Sequence, residues 1–223
     1  MSKTVLAYHF TNGYHLRDGQ LLETGREYVF DGEPVMCESG YHASRHVFDA
    51  LEYAPGATLS RVECREVTEE RDDKLVCKRR TVIQTIDATD LLLRFARMCA
   101  LDVVHLWEAP DIVIRYLKTG DEALRDAARA AARDTARDAA RPAEWNAAMA
   151  AARSIGPRSI GRDAAMAAAR DAAMSAAMSA AWAAAWATAK DAARAAAKDV
   201  AMQGKRVRLA RMVNQAFKKE EDS

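Results

Sequence analysis

Two hydrophobic periodicities divide this chain. Over roughly its first 86 residues, apolar positions come in short runs separated by turn signals. Residues 4–11 (TVLAYHFT) read as a strand ending at Asn12-Gly13. Arg17-Asp18-Gly19 marks a second turn, and residues 27–30 a short strand closed by Asp31-Gly32. Residues 33–37 read as another short strand, which Ser39-Gly40 breaks. Ser44 stands where an N-cap would precede a helix over residues 45–54, with Val47, Phe48 and Leu51 on one face. Pro55-Gly56 stops that helix. Residues 58–67 and 74–86 then form a predicted hairpin around the polar run 69–73. These pieces predict an α+β domain built on a small, mostly antiparallel sheet with one or two packed helices.

From Asp87 the period becomes helical. Asp87 or Thr89 can cap a helix carrying Leu91, Leu92, Phe95, Met98, Cys99 and Leu101 as its buried stripe. A break around Pro110 follows, then a short amphipathic helix over residues 112–118 that ends at Gly120. Beyond it, long side chains recur at every fourth position. The first series runs Arg125, Arg129, Arg133, Arg137, Arg141, Trp145, Met149, Arg153. After SIGPRSIG (residues 154–161) a second series runs from Arg162 through Met166, Arg170, Met174, Met178, Trp182, Trp186, Lys190, Arg194, Lys198 and Met202 to Arg206. Alanine fills most positions between them and is the best helix former.

At about 100° per residue, each tetrad drifts by roughly 40° around a helix. The long residues therefore wind around the rod, and a coiled-coil seam with its 3.5-residue period is excluded. The alanine surface is what can pack, because small residues let two backbones approach closely. The prediction is an all-α antiparallel hairpin following the sheet domain. Its arms cover residues 121–153, broken near Pro142, and 162–202, with SIGPRSIG as the bend. The expected domains are a head over residues 1–119 and a helical repeat over 120–223.

Composition sharpens this division. Residues 163–202 hold 22 alanines in 40 positions, so the second arm has little side-chain volume to bury. The whole chain carries 33 basic and 32 acidic residues, a net of +1 that gives no bulk attraction to nucleic acid or anionic lipid. Residues 1–119 sum to −4 and the remainder to +5. Four cysteines without CxxC spacing, and no signal-like N-terminus, predict free thiols in a reducing cytoplasm. The uncharged run 172–189 approaches the length of a membrane span. It is Ala/Ser-rich with charged flanks, so a buried or intersubunit helix is expected, with no membrane.

Candidate chemistry is sparse. His42 and His46 have helical metal-pair spacing, but Ala43 stands where HExxH chemistry needs glutamate, and no metal is expected. Cys37 lies near His42, the elements of a nucleophile pair. No GxSxG, P-loop or GxGxxG occurs. The repeat arginines alternate with Asp126, Asp134, Asp138, Asp191 and Asp199, which predicts a self-neutralised helix surface. Trp182 and Trp186, one turn apart, with Arg194, are the candidate interaction residues; core packing is the competing reading for the tryptophans. Near the end, Val207, Ala210, Val213 and Phe217 share one side. Arg206, Arg208 and Arg211 would either contact nucleic acid or complement the helix dipole.

One constellation resembles the nicotinamide-binding half of the ADP-ribosyltransferase fold. His9-Phe10-Thr11 closes the first strand, and Gly40-Tyr41-His42-Ala43-Ser44 follows before a helix. The resemblance implies NAD as ligand, with His9 and Thr11 in the ribose-holding motif and Tyr41 and Ser44 in the nicotinamide-stacking one. Glu63 and Glu66 come early for that family's catalytic glutamate, and Gln84 is a non-acidic occupant of a later position. Over most of its length the chain is also similar to an uncharacterised family of tailed phages and prophages. The similarity rests on the strings CESGYHAS, DALEYAPGATLSRVE and DDKLVCKRR followed by alanine-rich tetrads. Members of that family carry a Gly-Leu-His-Ala-Ser-like motif. The similarity implies an accessory phage product in the host bacterial cytoplasm. The expectation is a non-enzymatic, cofactor-free protein that binds a host protein complex and interferes with bacterial defence, with self-association or nucleic acid as further partners. The alternative is an ADP-ribosyltransferase-like enzyme or a NAD- or nucleotide-sequestering protein.

Overall fold

Turn residues cut the first part of the chain into five strands: β1 (Val5–Thr11), β2 (Glu27–Val29), β3 (Tyr41–Ala43), β4 (Thr58–Glu70) and β5 (Leu75–Asp87). In the computed structural model, the residues described are 4–16, 18–138, 142–155, 166–167, 169–174 and 190–222. The strands form one antiparallel sheet in the order β1-β4-β5-β2, with β3 also paired to β5. The predicted hairpin of β4 and β5 is its spine.

Register assigns the faces, since residues directly opposite one another share a side. Val5 opposes Cys64, Ala7 opposes Val62, and Tyr28 and Cys64 both oppose Arg80. These side chains point inward, together with Tyr41, Ala43, Leu75, Cys77 and Val82. Leu6, Glu63, Thr81 and Glu27 occupy one row on the opposite side. There Arg65 and Arg79 form ion pairs with Glu63, Glu27 and Glu66. Bulges between Arg61 and Val62 and between Val67 and Glu69 interrupt the alternation, with Glu66 held at φ +54°.

The segment between β2 and α1 departs from the prediction. Residues 33–37 are not a strand; Val35 bridges Ser39 across a tight turn with Cys37 at φ +69°. The strand begins after Gly40, whose φ is +84° and where a Cβ would meet the Cβ of Pro34 at 2.6 Å. Tyr41 and Ala43 alternate inward, so pairing with β5 buries both. Ser44 does not cap a helix. Its backbone N–H and carbonyl both pair with Tyr8, at 3.0 and 2.8 Å. Helix α1 (Val47–Glu52) starts later, after His46, with no side-chain cap. Strand pairing on both sides of β3 takes precedence over the local capping preference, because it satisfies two backbone groups at once. The sheet thus curls until β3 meets both β5 and β1.

The helical elements are α2 (Thr89–Leu101), α3 (Asp111–Thr119), α4 (Arg125–Asp138), α5 (Pro142–Ser154) and α6 (Lys190–Glu221). Asp87 receives the Thr89 N–H at 2.8 Å, which is the expected cap of α2. The buried face of α2 is Leu92, Leu93, Phe95, Ala96, Cys99 and Ala100, turned slightly from the predicted stripe. Gly120 ends α3 in the left-handed conformation, as its position predicted. The first predicted arm is two helices: α4 and α5 pack on each other, and Pro142 opens α5. Alanines make the contact faces. Ala128, Ala132 and Ala136 are buried on α4, and Ala147, Ala148, Ala151 and Ile155 on or beside α5.

Two compact units result. One comprises residues 1–89 together with 208–223, the other residues 90–207. The change of composition near residues 100–120 falls inside the second. In the first unit, the end of α6 buries Leu209, Val213 and Phe217. Val207, expected to join them, is half exposed. Arg61 lies over the Phe217 ring at 4.9 Å and donates to Asn214 at 3.1 Å, while Gln84 donates to the Phe217 carbonyl at 2.7 Å. In the second unit, Lys205 is buried and pairs with Asp102 at 3.7 Å.

Candidate functional site

Strand pairing brings together two of the motifs read from sequence. The Tyr8–Ser44 bridge sets β3 beside β1, so His9 lies against His42 and hydrogen-bonds its backbone. The imidazole of His9 is held well below its ordinary pKa, chiefly by burial and then by the charges of Arg80 and His42. Thr11 donates to the Gly13 carbonyl at 2.7 Å. Ser44 is buried, its backbone taken up by Tyr8.

The centre of the cluster is a residue the sequence reading passed over. Arg80 is only 2% exposed, and its Nη1 donates to the His42 carbonyl at 3.1 Å. Its guanidinium lies over the ring of Tyr41 at 4.8 Å, a cation–π contact strengthened by desolvation. Tyr28 and Phe30 meet the same ring edge-on, with centroids 6.2 and 6.5 Å away. The Tyr41 hydroxyl is hydrogen-bonded by Gln20, and burial raises its pKa. Tyr28 donates to the Leu21 carbonyl at 2.6 Å and accepts the Glu23 N–H at 2.8 Å, which pins the overlying loop.

Two buried thiols adjoin the Tyr41 backbone. Cys77 donates to the Tyr41 carbonyl at 3.4 Å, and Cys64 is hydrogen-bonded to Cys77. That shared bond, together with burial, pushes the Cys64 thiol up. The Cys77 thiol is held down by the same bond, with Arg80 assisting.

Cys37 and His42 also meet, but not as a nucleophile and its base. The Cys37 backbone N–H donates to His42 Nε2 at 2.8 Å, so the imidazole supports the strained turn. Lys74 is hydrogen-bonded to the exposed Cys37 sulfur and lies over the Tyr53 ring at 4.4 Å. A separate cleft of about 350 Å³, lined by Val5, Arg45 and residues 66–70, is occupied by the Arg45–Glu70 ion pair at its rim. Gln84 faces α6. Among the described residues, no group of three or more His, Cys, Asp or Glu could hold a metal ion.

Residues 5–94 match a domain of unknown function (DUF7666). The matched DUF7666 segment runs from β1 into α2, so it contains the whole sheet and every residue of the His9–Tyr41–Arg80 cluster. No curated protein and no solved structure matches the chain.

Trp182 and Trp186 lie outside the described residues, as does about half of the predicted second arm. Arg194 is on α6. Among the described residues no helix is long and apolar enough to cross a membrane.

Proposed function

We propose that the chain is a non-enzymatic binding protein whose target is a host macromolecule, foremost a protein complex of the bacterial cytoplasm. The observation that carries this reading is the engagement of Tyr41. Arg80 covers its face, two aromatic edges flank it, and Gln20 takes its hydroxyl. A tyrosine so enclosed presents no platform on which a nicotinamide ring could stack. His9, Thr11 and Ser44 are likewise bonded to the protein's own backbone. The similarity to phage accessory proteins supplies the host as the source of the target and interference with its defence as the consequence. Trp182, Trp186 and Arg194 are the proposed contact residues.

Calorimetric titration with NAD and with ADP-ribose is expected to give no heat. Affinity capture from bacterial lysate with the full chain is expected to retain a partner that Trp182→Ala, Trp186→Ala or Arg194→Ala releases. Heat of NAD binding that disappears in Tyr41→Ala would instead establish the ADP-ribosyltransferase-like or NAD-sequestering alternative.

A further inference from the structure

Arg80 carries more hydrogen-bonding capacity than the fold uses. Nη1 is bound to the His42 carbonyl and the guanidinium face to Tyr41, but Nε is buried with no hydrogen-bond partner. Among the described residues no carboxylate lies within ion-pair distance of it. The groups that face its charge are Cys64 on β4, Cys77 on β5, Tyr41 on β3 and Tyr28 on β2. From β1, the neutral His9 lies beside it and bonds the same stretch of backbone that Arg80 uses.

A cation enclosed in this way is stabilised only when a counter-charge meets it. A guanidinium presents its donors in a rigid planar fork, which matches the oxygens of phosphate and carboxylate groups. We propose that Arg80, with His9 beside it, is the binding site for a small oxyanion, a phosphate or a carboxylate, one of whose oxygens accepts from Arg80 Nε–H. The site recognises charge and shape without a stacked base, because the ring of Tyr41 is already covered. It is independent of the macromolecular target proposed above. The competing counter-charge is internal. Cys77 is the neighbouring group best placed to ionise, and a thiolate there would pair with Arg80 and exclude an added anion.

The full chain, labelled with ¹⁵N, gives a direct test through the Arg80 Nε–Hε signal, assigned by its loss in Arg80→Lys. Sodium phosphate, sodium acetate and methyl phosphate are titrated separately at constant ionic strength. Expected is a saturable shift of that signal with at least one of them, accompanied by a rise in Tm that Arg80→Lys loses. Response to phosphate alone identifies a free phosphate; response to methyl phosphate identifies an esterified one; response to acetate identifies a carboxylate. A shift that grows without saturation, or none with any of the three, overturns the proposal. So does thiolate absorbance near 240 nm at neutral pH that vanishes in Cys77→Ser. Should Arg80→Lys fold poorly, the signal is assigned on the unaltered chain by its through-space contact with the Tyr41 ring, over which the guanidinium lies at 4.8 Å.

Discussion

Within the run LVCKRRTVIQTI, Lys78, Arg79 and Arg80 look alike as solvated strand residues, yet only Arg80 is buried. The neighbouring bulges reset which residues of β4 and β5 point inward, and no local pattern announces a bulge between Val67 and Glu69. His9 was legible as a candidate, and its neutrality follows from the company it keeps. The unfolded chain takes up a proton at this histidine below about pH 6.5, while burial and Arg80 keep the folded form neutral to lower pH. The unfolded state therefore binds more protons in that window, and stability falls as pH drops from about 6.5 through the lowered folded value. Urea midpoints measured between pH 7.5 and 5 should decrease, and His9→Gln should flatten the decrease. The cysteines sort by burial in the same way. Cys37 is exposed while Cys64, Cys77 and Cys99 are buried. A thiol-reactive disulfide reagent should label one of the four rapidly in the native chain and all four in denaturant; two rapid labels would contradict the burial of Cys64, Cys77 and Cys99.

Among the elements, α4 and α5 illustrate how a repeat can be read correctly in its chemistry and incompletely in its path. The tetrad arithmetic identified alanine as the packing surface, and Ala128, Ala132 and Ala136 are buried along one row of α4. It did not place the reversal between α4 and α5, because alanine-rich sequence is equally content in one long rod or two packed ones. Enlarging the contact tests this: Ala132→Leu should cost about 1–3 kcal/mol, while Ala127→Leu on the exposed side should be near neutral. Thermal denaturation of the two variants separates them. The end of α6 was read as amphipathic, with the stripe set slightly wrong. Leu209, Val213 and Phe217 follow the i, i+4 row onto the sheet, and Val207 does not. Phe217→Ala removes a fully buried ring under Arg61 and should destabilise the chain by about 3–5 kcal/mol. A loss below about 1 kcal/mol in chemical denaturation would mean the helix end is not part of that core.

At the scale of the molecule, the unit built on the sheet is discontinuous: residues 1–89 are completed by residues 208–223, the last stretch of the chain. Removing residues 208–223 should lower the denaturation midpoint of the remaining chain, because Tyr8, Arg61 and Gln84 all bond to that stretch. An unchanged midpoint would show that the sheet stands without it. By itself the sequence determined the α+β class, the β4–β5 hairpin, the turns at Gly13, Gly32 and Gly120, and the helical state of the described alanine-rich residues. Those are properties of short windows, fixed by backbone preference and hydrophobic period. Only the tertiary structure decided that Arg80 turns inward, that β3 joins β1 to β5, and that the final helix returns to the sheet. Each of these depends on pairing between residues far apart in the chain, where register and burial choose among arrangements that local preference leaves equal.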